Sequence, residues 1–148
     1  MQTVLAPSRL RRIGEAADAT GLTHRTIRYY EELGLLKPAA HVSGGNRRYD
    51  DEDLERLRLI KRLREVVGLS LADIRMFLET EAEREILKAE YDATTDPVLK
   101  NEVLDRAEPL LRSRVELLER KLAAVQAFLE EERGRLQRLL TLRGVHAV

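Results

Sequence analysis

The 148-residue sequence predicts a mainly α-helical protein, a winged helix-turn-helix followed by a long helix that meets a second chain. Three observations carry that prediction. Two short helical segments meet at Gly21-Leu22-Thr23. A Gly44-Gly45 pair is followed at once by Arg47 and Arg48. Apolar residues recur at heptad spacing from Leu111 to Leu139.

Composition narrows the field. Charged residues make up 35% and aromatics 4%, which favours exposed helices over one large round core. The 26 Lys+Arg balance 26 Asp+Glu. Residues 1–78 carry 14 basic and 11 acidic side chains, so the first half is mildly basic and the second mildly acidic. The absence of cysteine excludes disulfides, thiolate metal sites and a cysteine nucleophile. No apolar run reaches the ~18 residues a membrane span needs, and MQTVLAPSRLRR has no continuous apolar core of a secretory signal. A cytoplasmic protein with no membrane partner is the expectation.

The elements follow in order. Residues 9–13 read as a short strand, and a helix runs from about Gly14 to Thr20, with Ile13, Ala16 and Ala17 on one side. Gly21 ends it in a left-handed conformation. Thr23 caps the next helix, about His24 to Leu33, which stops at Gly34 with Pro38 beyond. Ile27 and Tyr30 face inward, while His24, Arg25 and Arg28 point out near the first turns. Such a face reads base edges in a major groove, or is simply solvated. Gly44-Gly45 suits a tight hairpin, and Arg47, Arg48 and Tyr49 make its base either a phosphate-gripping wing or an ordinary surface loop.

Asp50 to Asp53 would repel DNA, but they fit the start of a helix running to about Val67. Leu54, Leu57, Ile60 and either Leu63 or Leu59 face inward. The turn unit then repeats: Gly21-Leu22-Thr23-His24-Arg25-Thr26-Ile27-Arg28 is echoed by Gly68-Leu69-Ser70-Leu71-Ala72-Asp73-Ile74-Arg75. Gly ends a helix, Leu plugs the core, Thr or Ser caps, and Ile anchors. The second copy starts apolar and acidic, so it packs and does not read bases. Arg62 and Arg64 are candidate backbone contacts.

These residues resemble the MerR family of bacterial transcription regulators. The resemblance runs from about Arg12 to Leu78, through IGEAADATGLTHRTIRYYEELGLLKP and GGNRRYDDEDLERLRLIKRLREVVGLSLADIRMFL. It implies a dimer joined by an antiparallel coiled coil and bound to a palindromic promoter site. It implies bending and untwisting of an over-long promoter spacer, so that RNA polymerase can use it. Matched by position, Thr23, His24 and Arg25 begin the recognition helix, Arg28 and Tyr29 follow in it, and Arg47 is the wing arginine on the DNA backbone. Two departures stand out. Asn46 replaces a common aromatic, and the stretch from Ile60 to Gly68 is about one residue longer than the pattern.

In the second half, residues 79–92 read as a short polar helix, and Thr94-Thr95-Asp96-Pro97 as the start of a long one reaching about Leu142, with residues 143–148 a tail. Pro109 is expected to kink or break the long helix. Leu111, Val115, Leu118, Leu122, Val125, Leu129, Leu136 and Leu139 form the seam, with Glu132 in the one missing slot. The seam meets a second copy, or the kinked helix folds back on residues 98–107.

No cofactor is implied. His24, His41 and His146 are too scattered to share a metal. Two regulatory readings stand: a small apolar effector near Ile86, Leu87, Tyr91, Val98, Leu99 and Phe128, or none at all. No phosphate loop, H-E-x-x-H or G-x-S-x-G occurs, so an enzyme is not expected. The remaining alternatives are an excisionase-like architectural protein and an interaction coiled coil.

Overall fold

The computed structural model describes residues 9–37 and 41–145. Pro38, His146 and the end of the tail lie outside them. The chain divides at Leu78/Glu79 into two compact units.

In the first unit, α1 (Ile13–Thr20) and α2 (His24–Glu32) flank the glycine turn. Gly21 closes α1 at φ +67°, the left-handed region that side chains avoid. The strand expected at 9–13 is a single bridge: Arg11 and Tyr49 exchange backbone hydrogen bonds of 2.8 and 2.9 Å. That bridge ties the entry to α1 to the exit of the wing. The wing is β1 (His41–Ser43) paired antiparallel with β2 (Asn46–Arg48), with Ser43 opposite Asn46. Gly44 and Gly45 both have positive φ, as a two-residue hairpin turn requires.

Helix α3 (Asp51–Lys61) begins on a reciprocal cap. Asp50 accepts from the Asp53 amide at 2.9 Å, and Asp53 accepts from the Asp50 amide. The α-helix does not run to Val67 as expected. Arg62–Val67 forms a π-helical segment that ends with the Gly68 amide donating to the Leu63 carbonyl. A π turn takes up one extra residue without rotating the following chain off its face. This segment lies within the stretch from Ile60 to Gly68 that reads as about one residue longer than the pattern. Leu54, Leu57, Ile60 and Leu63 stay buried across it, whereas Leu59 is half-exposed.

The repeated turn works as its residues require. Leu22 and Leu69 are both buried, as are Ile27 and Ile74. Ser70 accepts from the Asp73 amide at 3.1 Å, as Thr23 accepts from the Thr26 amide. Helix α4 runs unbroken over Leu71–Ala93, which corrects the separate helix expected from residue 79. Glu79-Thr80 contains neither Gly nor Pro, so nothing there stops it.

In the second unit, the C-terminal half of α4 and the long α5 (Pro97–Val145) form an antiparallel hairpin. Asp96 caps α5 by accepting from the Val98 amide at 2.9 Å, with Pro97 at the first position. Leu87, Val103 and Leu117 are buried. Glu90 pairs with Arg106 at 2.6 Å, Glu81 pairs with Arg114, and the Lys100 ammonium lies 4.4 Å from the Tyr91 ring centre. Pro109 does not break α5. The residue is exposed, so water can reach the Asp105 carbonyl that lost its donor. The helix also extends past the expected end at Leu142, to Val145.

Candidate nucleic-acid interface

Helix α2 presents its polar face as the spacing requires. Ile27 and Tyr30 are buried, while His24, Arg25, Arg28 and Tyr29 are exposed. Thr23 is occupied with capping: its Oγ1 accepts from the Thr26 amide at 3.1 Å and shares a hydrogen bond with the Thr26 hydroxyl.

The three residues grouped at the wing base separate. Tyr49 is 1% exposed, and its hydroxyl donates to Glu31 Oε1 at 2.6 Å. Its side chain is therefore packed in the core at the groove wall, with its hydroxyl engaged by Glu31. Burial first, and then the hydrogen bond to Glu31, hold this hydroxyl well above the usual tyrosine range. Arg47 also turns inward. Its guanidinium lies 2.5 Å from Asp53 Oδ1 and 3.4 Å from Glu31 Oε1, donates to the Lys37 carbonyl at 2.9 Å, and lies 5.2 Å from the Tyr49 ring centre. The Arg47 side chain is only 14% exposed. Burial pushes the Asp53 carboxyl above its ordinary value, while the Arg47 charge opposes the shift. Arg48 is half-exposed beside them.

Most cations of this unit are engaged inside it. Arg11 pairs with Asp51, Lys37 with Glu52, and Arg9 with Glu15. Arg56 donates to the Leu35 carbonyl, Arg58 to Ala19, Lys61 to Thr20 and Gly21, Arg64 to Leu69, and Arg75 to Leu33. Arg64 thus closes its own turn, whereas Arg62 is exposed. Among the described residues of this unit, the arginine side chains of Arg12, Arg25, Arg28, Arg48 and Arg62 make no hydrogen bond or ion pair. Four of those five line two adjoining grooves. One groove, of about 500 Å³, lies between α2 and the wing and is bordered by Arg12, Arg28, Asn46 and Arg48, with Arg47 and Tyr49 also in its wall. The other runs along α2 past Arg25, Arg28, Tyr29 and Glu32. An unpaired arginine fork is a phosphate or guanine ligand in waiting.

Sequence reasoning missed Arg12 and Asp53. Arg12 closes the basic run Arg9-Leu10-Arg11-Arg12, which was read only as a strand. Asp53 lies four residues before Leu57 and seven before Ile60, on the apolar stripe of its helix. A carboxylate there signals an internal partner.

Residues 11–81 match the family described as MerR HTH family regulatory protein. The chain is 35% identical over 123 residues to the HTH-type transcriptional regulator YfmP of Bacillus subtilis (strain 168), a match spanning 83% of this chain and 88% of that one. The chain belongs to the MerR family. It is thus a MerR-type transcriptional regulator with a helix-turn-helix DNA-binding fold. It is also 37% identical to a ZntR homolog of Haemophilus influenzae, over 73% of this chain and 78% of the other. Among solved structures it is similar to HiNmlR, a MerR family regulator lacking the sensor domain, bound to promoter DNA. That likeness has 25% identity and a TM-score of 0.47, over 77% of this chain and 79% of that one.

The six residues considered for an effector beside the paired long helices are spread out within the single chain. Leu87 is buried, but Ile86, Val98, Leu99 and Phe128 are exposed and Tyr91 is half-buried against Lys100. Phe128 lies 29 residues along the same helix from Leu99, roughly 43 Å at ~1.5 Å per residue. Among the described residues, no cluster of His, Cys, Asp or Glu could hold a metal ion, and no helix is long and apolar enough to cross a membrane.

Proposed function

We propose that the protein binds a palindromic promoter site as a homodimer and switches transcription by bending and untwisting the promoter spacer. The observation that carries the DNA-facing part is the placement of the unpaired arginines. Arg25 and Arg28 lie on the exposed face of α2, and Arg12 and Arg48 border the groove between α2 and the wing. In this reading His24 and Arg25 meet base edges in the major groove, Arg28 and Arg48 meet phosphates, and Tyr29 lies against the backbone. RNA polymerase is reached indirectly, through the reshaped promoter.

Support for the dimer comes from α5. Leu111, Val115, Leu118, Leu122, Val125, Leu129, Leu136 and Leu139 are all exposed in the single chain. An apolar heptad seam of that length is covered by another helix in water. In the antiparallel arrangement one protomer's seam covers the other's. A cytoplasmic location on the nucleoid belongs to the same reading.

The test is selection of bound sequences from random duplex DNA by the purified protein, followed by footprinting on the winners. A palindrome with protection of both halves and enhanced cleavage at its centre is expected. Arg25→Ala should abolish the preference at one base pair in each half-site. Binding without any sequence preference would sink the proposal.

A further inference from the structure

We propose that Arg47 acts from inside the protein as a positioning residue that sets the wing against the recognition helix, and does not itself grip phosphate. The inference rests on the DNA-binding reading above. Arg47 is the middle residue of β2, and its guanidinium joins three segments. It meets Asp53 at the start of α3, Glu31 near the end of α2, and the Lys37 carbonyl in the chain leading to the wing. Tyr49 closes the cluster by donating to the same Glu31 oxygen and offering its ring to the guanidinium. Asp53 and Glu31 are themselves only 10% and 20% exposed, so this is an internal network and not a solvated pair. Its Nη1 and Nη2 each donate to an internal acceptor, and the buried Nε faces Glu31 at 3.4 Å without a hydrogen bond, so the two outer nitrogens of the fork are engaged inside the protein. Both Arg47 and its neighbour Arg48 line the groove, but Arg48 has no such internal partners.

The two roles make opposite predictions for Asp53→Asn. If Arg47 grips phosphate, removing the nearby negative charge frees the fork, and DNA binding tightens. If Arg47 is a strut, the same change loosens the wing, and binding weakens by about tenfold, a cost of ~1.4 kcal/mol. Salt dependence separates the two further. Losing one phosphate contact lowers the slope of log K against log salt by ~0.9. Arg48→Gln is expected to lower that slope, while Arg47→Lys and Asp53→Asn leave it unchanged and lower affinity.

The experiment titrates the selected DNA site at several salt concentrations with full-length wild type, Asp53→Asn, Arg47→Lys, their double variant and Arg48→Gln. Each is first checked for folding by circular dichroism. The double variant is expected to bind about as well as the weaker single, because both cut one network. Amide hydrogen exchange on the free protein gives a DNA-independent arm: residues 46–48 should exchange faster in Asp53→Asn and not in Arg48→Gln. Tighter binding by Asp53→Asn, or unchanged wing exchange, overturns the strut. Wild type that binds no preferred sequence fails the DNA-binding reading itself, and the exchange result then still decides whether Arg47 holds the wing.

Discussion

Lys61 on α3 places its ammonium 3.2 Å from the carbonyl oxygens of both Thr20 and Gly21, at the C-terminal end of α1. The last carbonyls of a helix lack intrahelical donors and carry the negative end of its dipole. One cation therefore satisfies two acceptors and fixes the angle between α1 and α3. Lys61→Met keeps the alkyl stem and removes the charge. It is expected to lower stability by about 1 kcal/mol, read as a lower urea midpoint with an unchanged slope. A midpoint equal to wild type would show that water replaces the ammonium without loss.

Thr23 lies where α2 begins, and its hydroxyl is already committed to the cap. Thr23→Ala is expected to cost ~1 kcal/mol of stability, and Thr23→Ser to recover most of it. Because Ser keeps the cap, it should also keep DNA affinity within about twofold. If Thr23→Ser is stable yet loses discrimination at one base pair, the threonine methyl itself reads the base, as an apolar contact to a thymine methyl does.

The helix-turn-helix was legible because each of its residues does one mechanical job. Gly21, Thr23, Ile27 and their echoes Gly68, Ser70 and Ile74 act through chain-local geometry, which spacing reveals. The outward face of α2 followed from the same period. The inward turn of Arg47 and Tyr49 was not legible in that way. Strand alternation places Arg47 and Tyr49 on one side and Arg48 on the other, but which side is the core depends on Glu31 and Asp53, 16 residues before and six residues after Arg47. The π turn was foreshadowed only by a length mismatch, since no residue type specifies one. Of the kink and the break expected at Pro109, the break does not occur, since water can reach the acceptor left by a single lost donor on an exposed helix face.

Glu81 is set between Arg84, 2.8 Å away on the next turn, and Arg114 on α5. The hydrogen bond from Arg84, then the Arg114 charge, outweigh partial burial and hold its carboxyl below the ordinary 4.5. A carboxylate with a lowered folded value adds stability above the ordinary value and loses it as pH falls below. The Glu81→Gln variant is therefore expected to be about 1 kcal/mol less stable than wild type at pH 7. That gap should close as pH drops from about 5 to 3. Urea midpoints of both proteins across that range test it, and a gap that stays constant with pH would assign the loss to packing instead.

The seam of α5 yields the prediction with the largest expected effect. Val125 and Leu122 sit in the middle of the run from Leu111 to Leu139, and both are more than half exposed in the single chain. A charge placed at either position would be buried against apolar residues of a second copy. Val125→Glu is therefore expected to give a particle of the 17.0 kDa chain mass in sedimentation equilibrium, where wild type gives twice that. Glu132 supplies the converse test. It occupies a seam position and pairs with Arg135 on its own helix. A polar residue at one seam position specifies register at a cost in stability. Glu132→Leu should tighten the dimer by about tenfold or more while allowing competing registers, visible as several species in crosslinking. A monomeric wild type, or a Val125→Glu variant with wild-type mass, would show that the seam is not the dimer contact.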